Sequence, residues 1–173
     1  AGYRERGVFM DETEARRLVD RYADMIVRIS CNYLKERFDA EDICQTVFLR
    51  YLSEKRAFES ESHEKAWIIR TTVNLCKNHL KSAFFRRAVP LETAEEIPAA
   101  PEQIPELPEA LKILPENYRV TLYLYYYEGY SVREIASILE KRENTVSAWL
   151  SRSRKRLREI LSEEGKGAAA REG

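Results

Sequence analysis

Residues 128–157, EGYSVREIASILEKRENTVSAWLSRSRKRL, carry the punctuation from which the rest of the chain can be parsed. Gly129 ends one element and Ser131 opens the next. Glu134 follows three residues on, so the Ser131 side chain can accept from the Glu134 amide while the Glu134 carboxylate returns to the Ser131 amide, a capping box. Ile135, Ala136, Ile138 and Leu139 recur at helical spacing, the polar break KREN follows, and a second amphipathic run carries Val146, Trp149, Leu150 and Leu157. Two helices across a tight break, with the small Ala136 where the second must cross closely, predict a helix-turn-helix.

In that motif the second helix presents its N-terminal residues to base edges in the major groove. On the face opposite Val146 and Leu150 these are Asn144, Thr145, Ser147, Ala148, Ser151 and Arg152, with Lys155 further along. Five of the seven residues from 152 to 158 are cations: Arg152, Arg154, Lys155, Arg156 and Arg158. The negative end of the helix dipole alone accounts for one or two of them, at under about 1 kcal/mol each, so phosphate contact is the fuller account.

This concentration of positive charge sits in a chain of no net charge, with 29 Lys plus Arg against 29 Asp plus Glu. The zero is a sum of unlike parts. Residues 1–89 hold 17 basic and 14 acidic residues, residues 90–116 hold 1 and 7, and residues 117–173 hold 11 and 8. All six prolines (Pro90, Pro98, Pro101, Pro105, Pro108 and Pro115) fall in the acidic middle, which therefore reads as a linker. As a coil it would average about 30 Å end to end, and fully stretched it could reach about 90 Å.

Upstream, residues 8–89 hold neither Gly nor Pro, which leaves few signals for tight hairpin turns. Apolar residues step by threes and fours instead: Leu18, Tyr22, Ile26, Ile29 and Tyr33; then Ile43, Val47 and Tyr51; then Ala66, Ile69, Val73, Cys76 and Leu80. The fold class expected is all-α, a helical bundle joined by the linker to a C-terminal helix-turn-helix. VTLYLYYY, residues 120–127, favours a strand by propensity, but no second strand of similar strength exists to pair with it, so it too is read as helix.

The third bundle helix is a second candidate polyanion surface. No acidic residue occurs from Lys65 to Leu91, while Lys65, Arg70, Lys77, Lys81, Arg86 and Arg87 supply six cations beside an apolar stripe. Cys31, Cys44 and Cys76 are odd in number and lie within apolar patterns, which suits reduced thiols. A metal alternative recruits Cys76 and His79, neighbours on one helical face, with His63, Cys31 or Cys44. No apolar run approaches a membrane span and the N-terminal residues lack the apolar stretch of a secretory signal, so a cytoplasmic protein is expected. There is no Gly-rich phosphate loop and no clustered metal triad, so an enzyme is not expected.

With these residues in view, the chain resembles the extracytoplasmic-function group of bacterial RNA polymerase sigma factors, in the sigma-70 family. The resemblance spans roughly residues 10–162 and is carried by DAEDICQTVFLRYL (39–52), AWIIRTTVNLCKNHLK (66–81), and LPENYRVTLYLYYYEGYSVREIASIL with NTVSAWLSRSRKRL (114–139 and 144–157). It implies three parts: a region 2-like domain at 8–89, a flexible acidic linker at 90–110, and a region 4-like domain at 111–164. Promoter recognition and melting would be the function, with core RNA polymerase and promoter DNA as partners, an anti-sigma factor as a further one, and no cofactor.

By the same resemblance, Asp39, Glu41, Asp42 and Gln45 dock on the clamp helices of the largest polymerase subunit. Asn74, Lys77, Asn78 and Lys81, with Lys65 and Arg70, face the minus-10 element; Phe58 sits where the family builds a pocket for a flipped base, though it could equally plug the bundle. The residues 144–155 named above face the minus-35 element. Glu140 replaces the Gly often found at the helix-turn-helix bend, Lys141 replaces the usual apolar residue after it, and Thr46 stands where an acidic residue is common. The alternative function is a helix-turn-helix regulator that binds an operator without polymerase.

Overall fold

A computed structural model describes residues 12–34, 36–54, 56–88 and 109–169, with the side chains of 84–88, 109 and 164–169 left out. The chain order is α1 (Glu12–Tyr33), α2 (Arg37–Glu54), α3 (Glu61–Ala88), α4 (Glu109–Lys112), α5 (Glu116–Leu122) running into a π-helical turn (Tyr123–Tyr127), α6 (Val132–Leu139) and α7 (Glu143–Ala169). No strand occurs among the described residues. The linker stretch 90–108 lies outside them.

The first three helices form the bundle, and each buries the stripe its spacing dictates. Leu18, Tyr22, Ile26 and Ile29 of α1 meet Ile43 and Val47 of α2 and Ile69, Val73 and Cys76 of α3. Fully burying each such aliphatic chain is worth about 1.5–3 kcal/mol. Ser60 starts α3, its Oγ accepting from the His63 amide at 3.1 Å.

Among the described residues one charge is buried within this bundle. Glu64, 6 % exposed, accepts from Arg17 at 2.8 and 3.1 Å and from the Tyr22 hydroxyl at 2.6 Å, and also receives the Tyr51 hydroxyl. Every lone pair of consequence is engaged, the condition under which a buried carboxylate is tolerable. The bonds tie all three helices together.

The C-terminal unit follows the sequence closely. The capping box forms, with Glu134 N–H to Ser131 Oγ at 3.3 Å and Ser131 N–H to Glu134 Oε2 at 2.8 Å. Glu140 ends α6 in the left-handed conformation, φ 55° and ψ 48°, and Lys141 N–H closes the turn on the Ala136 carbonyl at 2.9 Å. Ile135, Ala136, Leu139, Val146 and Leu150 make the contact between α6 and α7.

The tyrosine-rich stretch is helical, in a wider winding than an α-helix. Glu128 N–H reaches back five residues to the Tyr123 carbonyl at 3.1 Å, and Gly129, at φ 75°, supplies the left-handed exit. Burial of Val120, Leu122 and Leu124 overrides the strand propensity.

The two units are not held apart. α1 packs on α5 and α3 packs on α6, so the buried side chains of both halves form one continuous cluster.

Candidate nucleic-acid interface

On α7 the expected recognition face is open to solvent. Asn144, Ser147, Ser151, Arg152 and Lys155 are exposed, while Thr145 and Ala148 are half-buried beside Val146, which is fully buried. Arg158 is exposed as well. Arg156 reaches Glu159 at 3.3 Å on the surface. Arg154 turns back: its Nε donates to the Tyr126 hydroxyl at 2.7 Å, and its guanidinium lies 5.4 Å from the Tyr125 ring centre. Arg152, Lys155 and Arg158 thus carry exposed charge on α7, whereas Arg154 secures the tyrosine turn.

On α3 the expected contact residues divide into two sets. The amides Asn74 and Asn78 and the cation Lys81 are exposed. Lys65 instead pairs with Glu128 at 2.7 Å, and Arg70 donates to the carbonyls of Ser137 and Ile138 at 2.8 and 3.2 Å. Lys77 is half-buried; burial first, then the neighbouring Lys141, holds its ammonium below the usual lysine range, with Glu140 opposing. Arg86 and Arg87 lie where side chains are not described.

Phe58 is half-buried within an aromatic cluster. Its ring stacks on Tyr51 at 5.5 Å and meets Trp67 at 5.8 Å and His63 edge-on at 5.5 Å, with Arg56 lying 5.8 Å from the Trp67 ring. The Tyr51 hydroxyl is fixed by Glu64. Phe58 thus keeps part of its ring accessible within an aromatic cluster beside the start of α3, side chains of a kind on which an unpaired base can stack.

On α2, Asp42 and Gln45 are exposed, and Glu41 is exposed but pairs with Arg37 at 2.9 Å. Asp39 does not stand free on that face: it is half-buried, with Oδ2 at 3.2 Å from His79 Nε2 of α3. Phe38 and Leu49 were not singled out from the sequence, yet they are 70 % and 67 % exposed and share a face with Asp42 and Gln45 at steps of four, three and four. The signal was available, since both fall off the buried Ala40–Ile43–Cys44–Val47 stripe.

The cysteines are free thiols, and burial pushes Cys44 up to about 11 and Cys76 up to about 12. Cys76 points into the core while His79 is committed to Asp39, so the metal pair suggested by their spacing does not converge. Among the described residues no group of three or more His, Cys, Asp or Glu could hold a metal ion, and no helix is long and apolar enough to cross a membrane.

Comparison with known proteins bears on both halves. Residues 18–84 match the family model for sigma-70 region 2, and residues 104–157 match that for sigma-70 region 4. The ECF RNA polymerase sigma factor BldN of Streptomyces coelicolor is 26 % identical over 161 residues, an alignment covering 87 % of this chain and 61 % of that protein. The chain thus spans less than two thirds of that relative's length.

Two solved structures share the fold. The sigma factor RpoE from Bartonella quintana, in complex with the anti-sigma factor NepR, superposes with a TM-score of 0.67 at 21 % identity, covering 87 % of this chain and 98 % of that one. CnrH, in complex with the cytosolic domain of CnrY, superposes with a TM-score of 0.59 at 17 % identity, covering 90 % and 92 %.

Proposed function

The chain belongs to the extracytoplasmic-function group of the sigma-70 family, and from that premise we propose that it binds core RNA polymerase and directs promoter recognition and melting. The observation that carries this reading is the pairing, in one chain, of an open helix-turn-helix face on α7 with a second cationic helix, α3, beside an aromatic stack. A stand-alone operator-binding protein has no use for the second surface.

In this reading residues 8–89 serve polymerase and the minus-10 element, 90–110 form the tether, and 111–164 serve the minus-35 element. Asn144, Thr145, Ser147, Ala148 and Ser151 lie against base edges while Arg152 and Lys155 contact phosphates. Asn74, Asn78 and Lys81, joined by Lys65, Arg70 and Lys77, follow the strand at the minus-10 element. Phe58, backed by Tyr51 and Trp67, receives a base extruded from the non-template strand; stacking offsets an extrusion cost of a few kcal/mol.

Asp42, Gln45 and Glu41, flanked by Phe38 and Leu49, form the polymerase-docking face, and Asp39 supports it from the His79 pair. Chemistry is left to the polymerase. The two fold relatives are described in complexes with NepR, an anti-sigma factor, and with CnrY, which supports an anti-sigma factor as a further partner here.

The test is transcription in vitro with purified core polymerase on genomic fragments. Discrete start sites that require both proteins are expected. Specific duplex binding by the chain alone, with no effect on core polymerase, would instead favour the operator-binding reading.

A further inference from the structure

Phe58 lies between α2 and α3, outside either helix, so its ring takes its place from what it packs on. Tyr51 of α2 is nearly parallel to it, the two planes 19° apart and the ring centres 5.5 Å apart. Trp67 of α3 meets both rings, Phe58 at 5.8 Å and Tyr51 edge-on at 5.9 Å. Within this cluster Tyr51 is fixed from two directions. Its hydroxyl accepts from Arg17 Nη2 of α1 at 3.2 Å and donates to Glu64 of α3. Glu64 stands three residues before Trp67, and so on the same side of α3. Burial first, and then the Glu64 bond, push the Tyr51 phenol above its usual range, which keeps its proton in place.

A buried carboxylate is a costly way to fill this position, since an apolar side chain of similar volume would serve the stability of the bundle as well or better. What the Glu64–Arg17 pair adds is direction. A hydroxyl bonded both as donor and as acceptor fixes the plane of its ring, and the ring stacked on it inherits that plane.

We infer that Tyr51 is a positioning residue for base capture, its hydroxyl held by Glu64 and Arg17 so that its ring keeps Phe58 at the angle on which an extruded base stacks. The inference rests on the reading of Phe58 as the seat of that base. An arriving base then has no loose aromatic ring to immobilise, and the ordering cost avoided corresponds to about three- to tenfold in capture. Tyr51 acts through Phe58 and has no need to touch the base.

The experiment is a double-mutant cycle on the full chain bound to core polymerase, with a linear duplex carrying one start site mapped by transcription in vitro. Permanganate reactivity of thymines around the start site reads strand opening, and protection of the upstream element on the same samples reads duplex binding. The chains are the parent, Tyr51→Phe, Phe58→Ala and the two changes together. Tyr51→Phe keeps the ring and removes the hydroxyl, while Glu64 retains Arg17 and Tyr22. It should lower opening about three- to tenfold with upstream protection intact. Phe58→Ala should lower opening at least as much. The double variant should match Phe58→Ala, because a residue that acts through Phe58 then has nothing left to position.

Additive losses overturn the inference, since a general weakening of the bundle would add to the loss of Phe58. Full opening by Tyr51→Phe also overturns it, as does loss of upstream protection in step with opening. Circular dichroism melts check folding: a Tyr51→Phe chain that does not fold makes the hydroxyl a prop of the whole bundle and overturns the inference too. Should Phe58→Ala not fold, Phe58→Leu, which fills the position without a π face, takes its place. Full opening by Phe58→Ala removes the seat itself, and the inference with it. A parent that yields no start site fails the proposed function, whereas impaired opening in Phe58→Ala alone leaves that function standing without Tyr51's part in it.

Discussion

Arg17 of α1 grips Glu64 of α3 through two hydrogen bonds, Nη2 to Oε1 at 2.8 Å and Nη1 to Oε2 at 3.1 Å. That pair, with the hydroxyls of Tyr22 and Tyr51, holds the Glu64 carboxyl at about 2 against an ordinary 4.5, the Arg17 hydrogen bond contributing most and burial opposing it. Because Tyr51 stacks on Phe58, the same carboxylate steadies the aromatic cluster beside α3.

A carboxyl whose folded value lies below its unfolded one lends stability above the unfolded value and withdraws it as the pH falls toward the folded one. Glu64→Gln should therefore be less stable than the parent near neutrality by about 3 kcal/mol, since it removes the charged pair with Arg17 and leaves that guanidinium to Glu14 alone, at 2.8 Å. The gap should narrow as pH drops from about 4.5 to about 2, across the window between the two values. Urea unfolding at a series of pH values reads it. A gap that stays constant through the window would remove Glu64 as the acid-sensitive group.

Arg152 and Lys155 are exposed on the recognition face of α7. Replacing both with Ala should weaken binding of holoenzyme to the upstream promoter element and reduce the slope of log K against log salt by about 0.9 for each phosphate left without its cation. Footprinting or anisotropy over a salt series gives the slope. An unaltered slope would mean that neither side chain meets a phosphate.

The face of α2 bearing Asp42 and Gln45 carries two large apolar side chains, Phe38 and Leu49, in water. Asp42→Arg should abolish co-purification with core polymerase, and Leu49→Asp should reduce it. Exposed substitutions of this kind shift stability by about 0.5 kcal/mol or less, so thermal melts should barely move. Undiminished co-purification of both variants would clear this face of any docking role.

Much of the secondary structure was legible because its signals are local. The capping box needs only Ser131 and Glu134, three residues apart; the bend at Glu140 was marked only through the resemblance, as the place where Gly is often found, and it proves left-handed. The helical reading of VTLYLYYY rested on the lack of a partner strand, and it holds, but the π winding, with Glu128 N–H reaching back to the Tyr123 carbonyl, leaves no spacing signature.

Pairings between distant residues were not legible. Lys65 meets Glu128 across 63 residues, Arg70 meets Ser137 across 67, and Asp39 meets His79 from another helix. Composition alone counts each of these as a free charge on its own face. No periodicity encodes such a pairing. Phe58 stood midway between core and pocket in the sequence, and its half-buried stack is midway in space too.

Glu140 is the one non-glycine residue at positive φ among those described. A side chain in that conformation costs about 1–2 kcal/mol, of which a glycine would recover part after its own loss of about 0.5–1 kcal/mol in chain entropy. The carboxylate offers little in return, since its 3.9 Å approach to Arg70 is long and 65 % of the Glu140 side chain is exposed. Glu140→Gly should therefore raise the melting temperature by about 2 °C. Glu140→Val should lower it, because a β-branched chain tolerates positive φ least. Calorimetry on the three chains ranks them. An order of Gly above Glu above Val places the strain in the backbone of the turn; equal melting of the Gly and Val variants would place the cost of the substitution in the missing carboxylate instead, and the bend would then be as easily made by any residue.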